Sequence, residues 1–456
     1  MKPYQVLIFI ACVMAGLATL CVVLPGRIAL GATELKWPAL TEVLGIQKTP
    51  NAIIPMDTIA QLDTLLTPDT IVQQDTVVQQ EQTLSPAIAK ADSIAPQKED
   101  NCQLSTVNYQ LSESDSRIFL RTFYVSLSQS GKQVVRVLHY GDSQIEEDRM
   151  TQQIREALQD RYGGSGVGLM PLAQTIPSRT VKQQLHMNGR QIQPAQGPRR
   201  FIVYGPKRDR RDDGLYGVMG QVAVMNDSLV PGSEKLMAVC TPQDPKNRYS
   251  KWQVLADPAI QYSFSRDTVF LSGKGNVYGL SQESDTGLIV DNIPMRGCLG
   301  LVFTKMDSAQ LADFYREQNV RLIILQFGGN AIPFNETPST IQGIVRGLRK
   351  QVQYLRMLAP EASFLFIGPS DMLTQIDGVW QTYPMVPYMD RLLQQMAQDE
   401  QIAYFSLYRW MGGSGSMAKW QEAGLAGEDG IHFMRSGARK AGNAVAKWIL
   451  EGMENE

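Results

Sequence analysis

The chain has 456 residues, 43% of them hydrophobic, which suffices for a sizeable core and sets a prior of two or three folded units. Its 43 Lys and Arg stand against 45 Asp and Glu, so it lacks the basic excess that holds nucleic acid, and no nucleic-acid partner is expected. Three histidines and five cysteines, with no cluster at metal-ligand spacing, predict no metal, and the chemistry read from the residues below needs no organic cofactor.

Residues 1–31 are unlike the rest. Within them, residues 7–24 read LIFIACVMAGLATLCVVL without a charge. Such a stretch rises about 27 Å as a helix, against ~30 Å of bilayer hydrocarbon. The preferred reading is an uncleaved inner-membrane anchor with the body in the periplasm. A cleaved signal, which would leave a secreted protein, stays open because ALGA at 29–32 offers a small-residue site. Lys2 and Arg27 flank the segment and barely discriminate its orientation.

Residues 32–102 are expected to be a flexible tether. Residues 67–100 are rich in Gln, Thr, Asp, Ser and Pro and hold no aromatic, so they bury too little apolar surface to offset their ordering entropy. Two parts of the chain, 103–161 and 286–456, then read as one α/β domain. Helices are expected over 112–130 and 148–160, and a strand at 134–139, VVRVLH. Between the two parts, residues 162–285 hold short apolar runs at 200–204, 221–225, 235–240, 251–255 and 268–272 with no comparable helix. They predict an inserted all-β sandwich. Cys240 of this insert and Cys298 beyond it could pair or stay separate; spacing does not decide.

The α/β pattern resumes with strands at 288–292, 321–327, 363–367 and 402–406, and helices at 308–317, 339–358, 387–399 and 436–450. Residues 321–327, RLIILQF, are almost continuously apolar, as a strand covered on both faces requires. Alternating strands and helices imply a mostly parallel five-stranded sheet between helical layers.

Three segments lie where such a sheet binds ligands, beyond the carboxyl ends of its strands. Gly141-Asp142-Ser143 follows the first strand and would expose a hydroxyl at a sharp turn. Gly328-Gly329-Asn330 follows RLIILQF and could offer a carboxamide N–H to an oxyanion. Asp429 and His432 stand three apart, so the carboxylate can orient the ring and leave Nε2 free to take a proton from serine. Each segment alone is an ordinary turn; their order and placement together point to a serine nucleophile, Ser143, with His432 as base and Asp429 as its orienter. His139, Asp371, Trp380 and Trp410 lie near these segments without an assigned role.

Together the blocks resemble those of the SGNH hydrolases, the GDSL-type esterase superfamily. Tyr140-Gly141-Asp142-Ser143 resembles the first block, residues 292–297 (NIPMRG) the second, Gly328-Gly329-Asn330 the third, and Asp429 to His432 the Asp-x-x-His block. The resemblance spans about 134–160 and 287–450. It implies a flavodoxin-like three-layer sandwich, with an oxyanion hole made by the N–H groups of Ser143 and Gly297 and the side chain of Asn330. Pro294 stands where the family often has its first block-two glycine, which makes the aim of the Gly297 N–H the least secure part.

The expected function is removal of O-acyl, most plausibly O-acetyl, groups from a cell-envelope polysaccharide such as peptidoglycan, with the insert holding the polymer. A glycan O-acyltransferase with the same nucleophile is the alternative, and a non-catalytic glycan-binding protein the second. A small closed pocket over Ser143 would favour acetyl; a long apolar trench would favour lipid esters.

Overall fold

A computed structural model of the chain describes residues 27–30, 33–36, 115–172, 174, 176–187, 190–192, 218–219, 223–225 and 236–453. The chain divides into two units, Met1–Leu66 and Thr67–Glu456. In the first, the described backbone is one antiparallel hairpin, β1 (Arg27–Leu30) and β2 (Thr33–Lys36). Sequence reading does not anticipate it. The expected anchor at 7–24, the tether segment 67–100 and the strand at 200–204 lie outside the described residues.

In the second unit a 3-10 turn, Asp115–Leu120, runs into α1 (Arg121–Leu127), followed by β3 (Val134–Gly141) and α2 (Thr151–Tyr162). An all-β excursion comes next: β4 (Gly168–Met170), β5 (Val181–Met187), β6 (Arg190–Ile192), β7 (Ala223–Met225), β8 (Leu236–Pro242), β9 (Lys251–Ala256), β10 (Gln261–Ser265), β11 (Thr268–Ser272) and β12 (Gly275–Glu283). The chain returns as β13 (Gly287–Pro294), then α3 (Ser308–Glu317), β14 (Val320–Gln326), α4 (Pro338–Leu358) and β15 (Ser363–Ile367). A hairpin, β16 (Leu373–Ile376) and β17 (Val379–Thr382), precedes α5 (Val386–Asp399) and β18 (Ala403–Phe405). The chain continues through α6 (Leu407–Met411), α7 (Ser416–Glu422) and α8 (Arg435–Glu451).

One sheet has the order β13-β3-β14-β15-β18, every pair parallel. Counted in chain order this is 2-1-3-4-5, the flavodoxin-like arrangement, with its switch point between β3 and β14. The expected five strands are all present. Successive side chains of β14 point to opposite faces. Leu322 and Ile324 pack toward α1, α2 and α8, while Ile323 and Leu325 pack toward α3, α4 and α5. That explains the unbroken apolar run. α4 begins where Thr337 caps the amide of Thr340 and Pro338 opens the first turn. Its Ile341, Ile344, Val345, Leu348, Val352 and Leu355 form the buried stripe.

The excursion forms two antiparallel sheets. One has the order β10-β11-β8-β5-β6; in the other β12 pairs with β4, β7 and β9. Val181, Leu185, Ala238, Val269 and Leu271 of one sheet share a core with Met170, Val254, Val277 and Leu280 of the other. This is a sandwich, as expected, but with more strands than periodicity reveals. β10, QYSFS, is exposed along its whole length and so carries no buried stripe to read. The ends of the excursion are pinned to the parallel sheet by charge. Arg136 of β3, fully buried, donates to both oxygens of Asp291 on β13 (3.0 and 2.8 Å) and to Glu283 at the end of β12 (2.6 Å). Asp291 also accepts the amide of Leu169 in β4 (2.7 Å).

Two helices depart from their expected ranges by more than one residue. The first helix is shorter than 112–130, because Asp115–Leu120 is 3-10 and Leu127 ends the α part. The second starts at Thr151 and not at 148, because Glu147 and Asp148 take left-handed backbone (φ 59° and 62°) and turn the chain first. Cys240 and Cys298 do not pair: each is a separate buried thiol, and burial pushes both up to about 12.

Candidate active site

The register of the parallel sheet assembles the site. Gly141 of β3 lies level with Pro294 of β13 on one side and Gln326 of β14 on the other. Ser143, Gly297 and Asn330 follow that common level by two, three and four residues, so all three emerge at one edge, beside the switch point. The Asp142 amide donates to the Gln326 carbonyl (3.2 Å), and the Met295 amide donates to the Gly141 carbonyl (2.7 Å), closing the strand ends against each other.

Ser143 begins a short 3-10 segment, Ser143–Asp148, whose preceding residue Asp142 accepts the Gln144 amide (3.0 Å). The Ser143 hydroxyl lies 2.8 Å from His432 Nε2, although the two are 289 residues apart. His432 Nδ1 lies 2.7 Å from Asp429 Oδ2. The other carboxylate oxygen accepts the amides of Ile431 and His432, each at 2.9 Å. Burial pushes the Asp429 carboxyl up, but the hydrogen bonds from His432 and from the two amides outweigh it and hold it below its ordinary value. An ionised carboxylate can only accept, so the imidazole proton sits on Nδ1 and Nε2 accepts the serine hydroxyl.

The loop that presents His432 is tightly built. The Gly427 amide donates to the His432 carbonyl (2.8 Å), and the Leu373 amide of β16 donates to the Gly430 carbonyl (2.9 Å). Gly430 adopts φ +67°, and a Cβ there would meet the Leu373 Cβ at 2.8 Å. Both facts reserve the position for glycine. Gln144, next to the nucleophile, donates its side-chain amide to the Ile431 carbonyl (2.7 Å) and so ties the serine turn to the histidine loop. No local pattern marks Gln144 in the sequence; only the approach of residues 287 apart gives it this position.

Asn330 donates its side-chain amide to the Cys298 carbonyl (3.3 Å). That leaves its second N–H for a ligand and sets Asn330 against the turn that carries Gly297. Gly297 is buried with φ +68°, a left-handed turn just past Pro294. The remaining residues of interest sort themselves. His139 is buried and hydrogen-bonded to Gln326 (3.1 Å) and Thr151 (2.9 Å); burial drives its imidazole down to about 3, so it is a neutral core group. Asp371 accepts from Thr382 (2.8 Å) and from the Met417 amide (2.9 Å), and holds the β16–β17 hairpin to the start of α7. Trp410 packs with Phe405 and Trp420. Trp380 is 58% exposed and lines the same cavity as Ser143 and His432.

A cleft of about 720 Å³ opens over Ser143 and His432. Asn330, Arg296, Phe334, Met372, Trp380 and Tyr383 are among its lining residues. It is neither a small closed pocket nor a purely apolar trench. Asp142 is also among the lining residues, 5% exposed, and burial lifts its carboxyl to about 6 despite the hydrogen bond from Gln144.

No protein-family model matches the chain. No curated protein matches it either. Solved structures do. One, of a peptidoglycan O-acetylesterase, is 20% identical, with a TM-score of 0.58, over 76% of this chain and 98% of its own. The carbohydrate acetylesterase Est24 from Sinorhizobium meliloti is 16% identical with a TM-score of 0.26, over 36% of this chain and 79% of its own. A catalytic mutant of Axe2, an acetylxylan esterase from Geobacillus stearothermophilus, is 15% identical with a TM-score of 0.23, over 37% and 73%. The first likeness covers three quarters of this chain, and at such identity it speaks for the fold alone. This chain therefore has the flavodoxin-like fold, enlarged by a β module, that the SGNH-type sequence blocks imply.

Proposed function

We propose that the protein is a serine esterase that removes O-acyl groups, most directly O-acetyl, from a cell-envelope polysaccharide such as peptidoglycan. One observation carries the reading: a serine hydroxyl, an imidazole and a carboxylate in line at 2.8 and 2.7 Å, at the sheet edge where parallel α/β folds bind ligands.

The chemistry follows from that line. Ser143 attacks the ester carbonyl carbon as His432 Nε2 accepts its proton. The negative charge on the carbonyl oxygen is met by Asn330 and by the N–H groups of Ser143 and Gly297; each well-aimed donor supplies about 3 kcal/mol. The imidazolium, steadied by Asp429, gives the proton to the sugar oxygen as the ester bond breaks. Water then attacks the acyl-serine, His432 takes its proton and returns it to Ser143, and the acid leaves.

The substrate assignment rests on the cleft and on the fold. About 720 Å³ exceeds what an acetyl group fills and leaves room for sugar rings. The mixed polar and aromatic lining suits a glycan. The likeness to the solved peptidoglycan O-acetylesterase supports the same class. In residues 162–285, taken as an inserted module, Trp252 and Phe264 stack at 6.1 Å with planes 5° apart. Tyr249 and Tyr262 flank them. Such a surface row of rings suits holding a polymer. The N-terminal segment would anchor this machinery in the inner membrane with the catalytic part in the periplasm.

The test is acetate release from O-acetylated peptidoglycan and from p-nitrophenyl acetate by wild type and Ser143→Ala. Turnover by wild type that vanishes in the folded variant is the expected result. Equal turnover by the two would refute the reading. Adding an unacylated glycan acceptor separates hydrolysis from transfer: acyl-glycan exceeding free acid would make the enzyme a transferase.

A further inference from the structure

One cation in the cleft is not consumed by the mechanism. Of the charged side chains that line the cavity with Ser143, Asp429 is engaged by His432, and Asp142 is buried and accepts the Gln144 amide. Arg296 lines the same cavity, half exposed at 51%. It sits on the turn between β13 and Gly297.

The charges behind it do not balance. Arg149, Arg179 and Arg296 face two carboxylates, Glu146 and Glu147. Glu147 is held by Arg179 at 2.7 Å. Glu146 lies 3.8 Å from Arg296 Nε and 3.9 Å from Arg149, outside hydrogen-bond reach of both, and one of its oxygens has no hydrogen-bond partner. Among the described residues Arg296 makes no hydrogen bond: its Nε lies toward Glu146 at 3.8 Å, and no hydrogen bond holds its two terminal nitrogens. A guanidinium fork with both terminal nitrogens available matches a carboxylate, and one positive charge balances it. Phe334 and Trp380, 45% and 58% exposed, line the same cavity and offer faces for sugar rings.

We propose that Arg296 forms a carboxylate subsite, which makes the preferred substrate an acylated acidic glycan whose carboxylate lies within about one sugar of the ester. This rests on the esterase reading and narrows its substrate class.

The experiment compares O-acetylated β-1,4-mannuronan oligosaccharides with O-acetylated β-1,4-mannan oligosaccharides, which differ in carrying a carboxylate or a hydroxymethyl group at carbon 6. Wild type is expected to favour the acidic substrate in kcat/KM by about tenfold, the yield of a charge-assisted pair at a half-exposed site. That preference shrinks as salt rises from about 0.05 to about 0.5 M. Arg296→Gln removes it and Arg296→Lys keeps part of it. Unacetylated mannuronan, titrated by calorimetry, binds wild type more tightly than R296Q, a readout that needs no turnover. Equal kcat/KM for the two substrates in wild type, or an acid preference that survives in R296Q, overturns the subsite. The outcomes separate the two claims. Loss of mannuronan binding in R296Q with no turnover of any ester, p-nitrophenyl acetate included, keeps the subsite and sinks the esterase. Ester turnover without acid preference does the reverse.

Discussion

The parallel sheet and the β excursion are built from the same short strands but bury them differently. β3 is buried along nearly its full length, and β15 along all of it, because helices cover both faces. β8 and β11 alternate between buried and half-exposed positions, and β10 is exposed throughout. The first arrangement makes a stiff platform whose strand ends keep a fixed register. The second leaves one face to solvent and so presents side chains outward. A reacting centre needs the former, since groups far apart in the chain must stay aligned; a surface for a polymer is better served by the latter.

Substitutions break or sharpen this contrast, and the largest effects belong on the platform edge. Ser143→Ala is expected to lower kcat on p-nitrophenyl acetate by about 10⁴-fold or more while the unfolding midpoint stays put. Asp429→Asn should cost about 10³- to 10⁴-fold, because the ring loses the acceptor that sets its tautomer; steady-state kinetics check both. Asn330→Ala is expected to cost about 10²- to 10³-fold in kcat with a nearly constant KM.

The seam between the two regions is tested by stability. Arg136→Met leaves Asp291 and Glu283 buried without their partner and should destabilise the fold by about 3–5 kcal/mol in denaturant titration. Asp142 gives a pH signature. Its carboxyl sits at about 6 in the fold against an ordinary 3.8, so the native state binds the extra proton between those values. Its contribution is therefore favourable below about pH 4 and is lost as pH rises through 6, by up to about 3 kcal/mol. Asp142→Asn, which keeps the acceptor for the Gln144 amide, should flatten that slope; a slope that persists means that burial of Asp142 is not its cause. The smallest effect belongs to the excursion. Trp252→Ala should lower kcat/KM on polymer relative to p-nitrophenyl acetate by about threefold to tenfold, as loss of one ring of a surface row implies. A fall of the same size on both substrates would mean that the module supports the platform and does not hold the polymer.

The platform was the more legible region for the same reason that it is stiff. A strand dry on both faces has to be apolar throughout, so residues 321–327 declare themselves, and the helix 308–317 shows its stripe at the observed bounds. In the excursion, 181–187 and 261–265 carry Gln, Lys, Ser and Tyr in positions that never lose water, and nothing in their composition separates strand from loop. Ser143, Asn330 and His432 could be singled out because each follows a strand or precedes a helix with the side-chain chemistry that acyl transfer requires. Gln144 and Arg296 could not, since their significance lies in what approaches them from 287 residues away or in what fails to neutralise them.

The amino-acid order alone determined the alternation of strands and helices, the burial of the central strands and the residue types available for nucleophile, base and oxyanion donor, because these are set by periodicity and by intrinsic chemistry. Tertiary structure decided the 2-1-3-4-5 strand order, the common level of Gly141, Pro294 and Gln326, and hence the 2.8 Å contact between groups 289 residues apart. Hydrogen bonding between strands selects register, and a residue cannot encode its distance to a partner that only folding brings near.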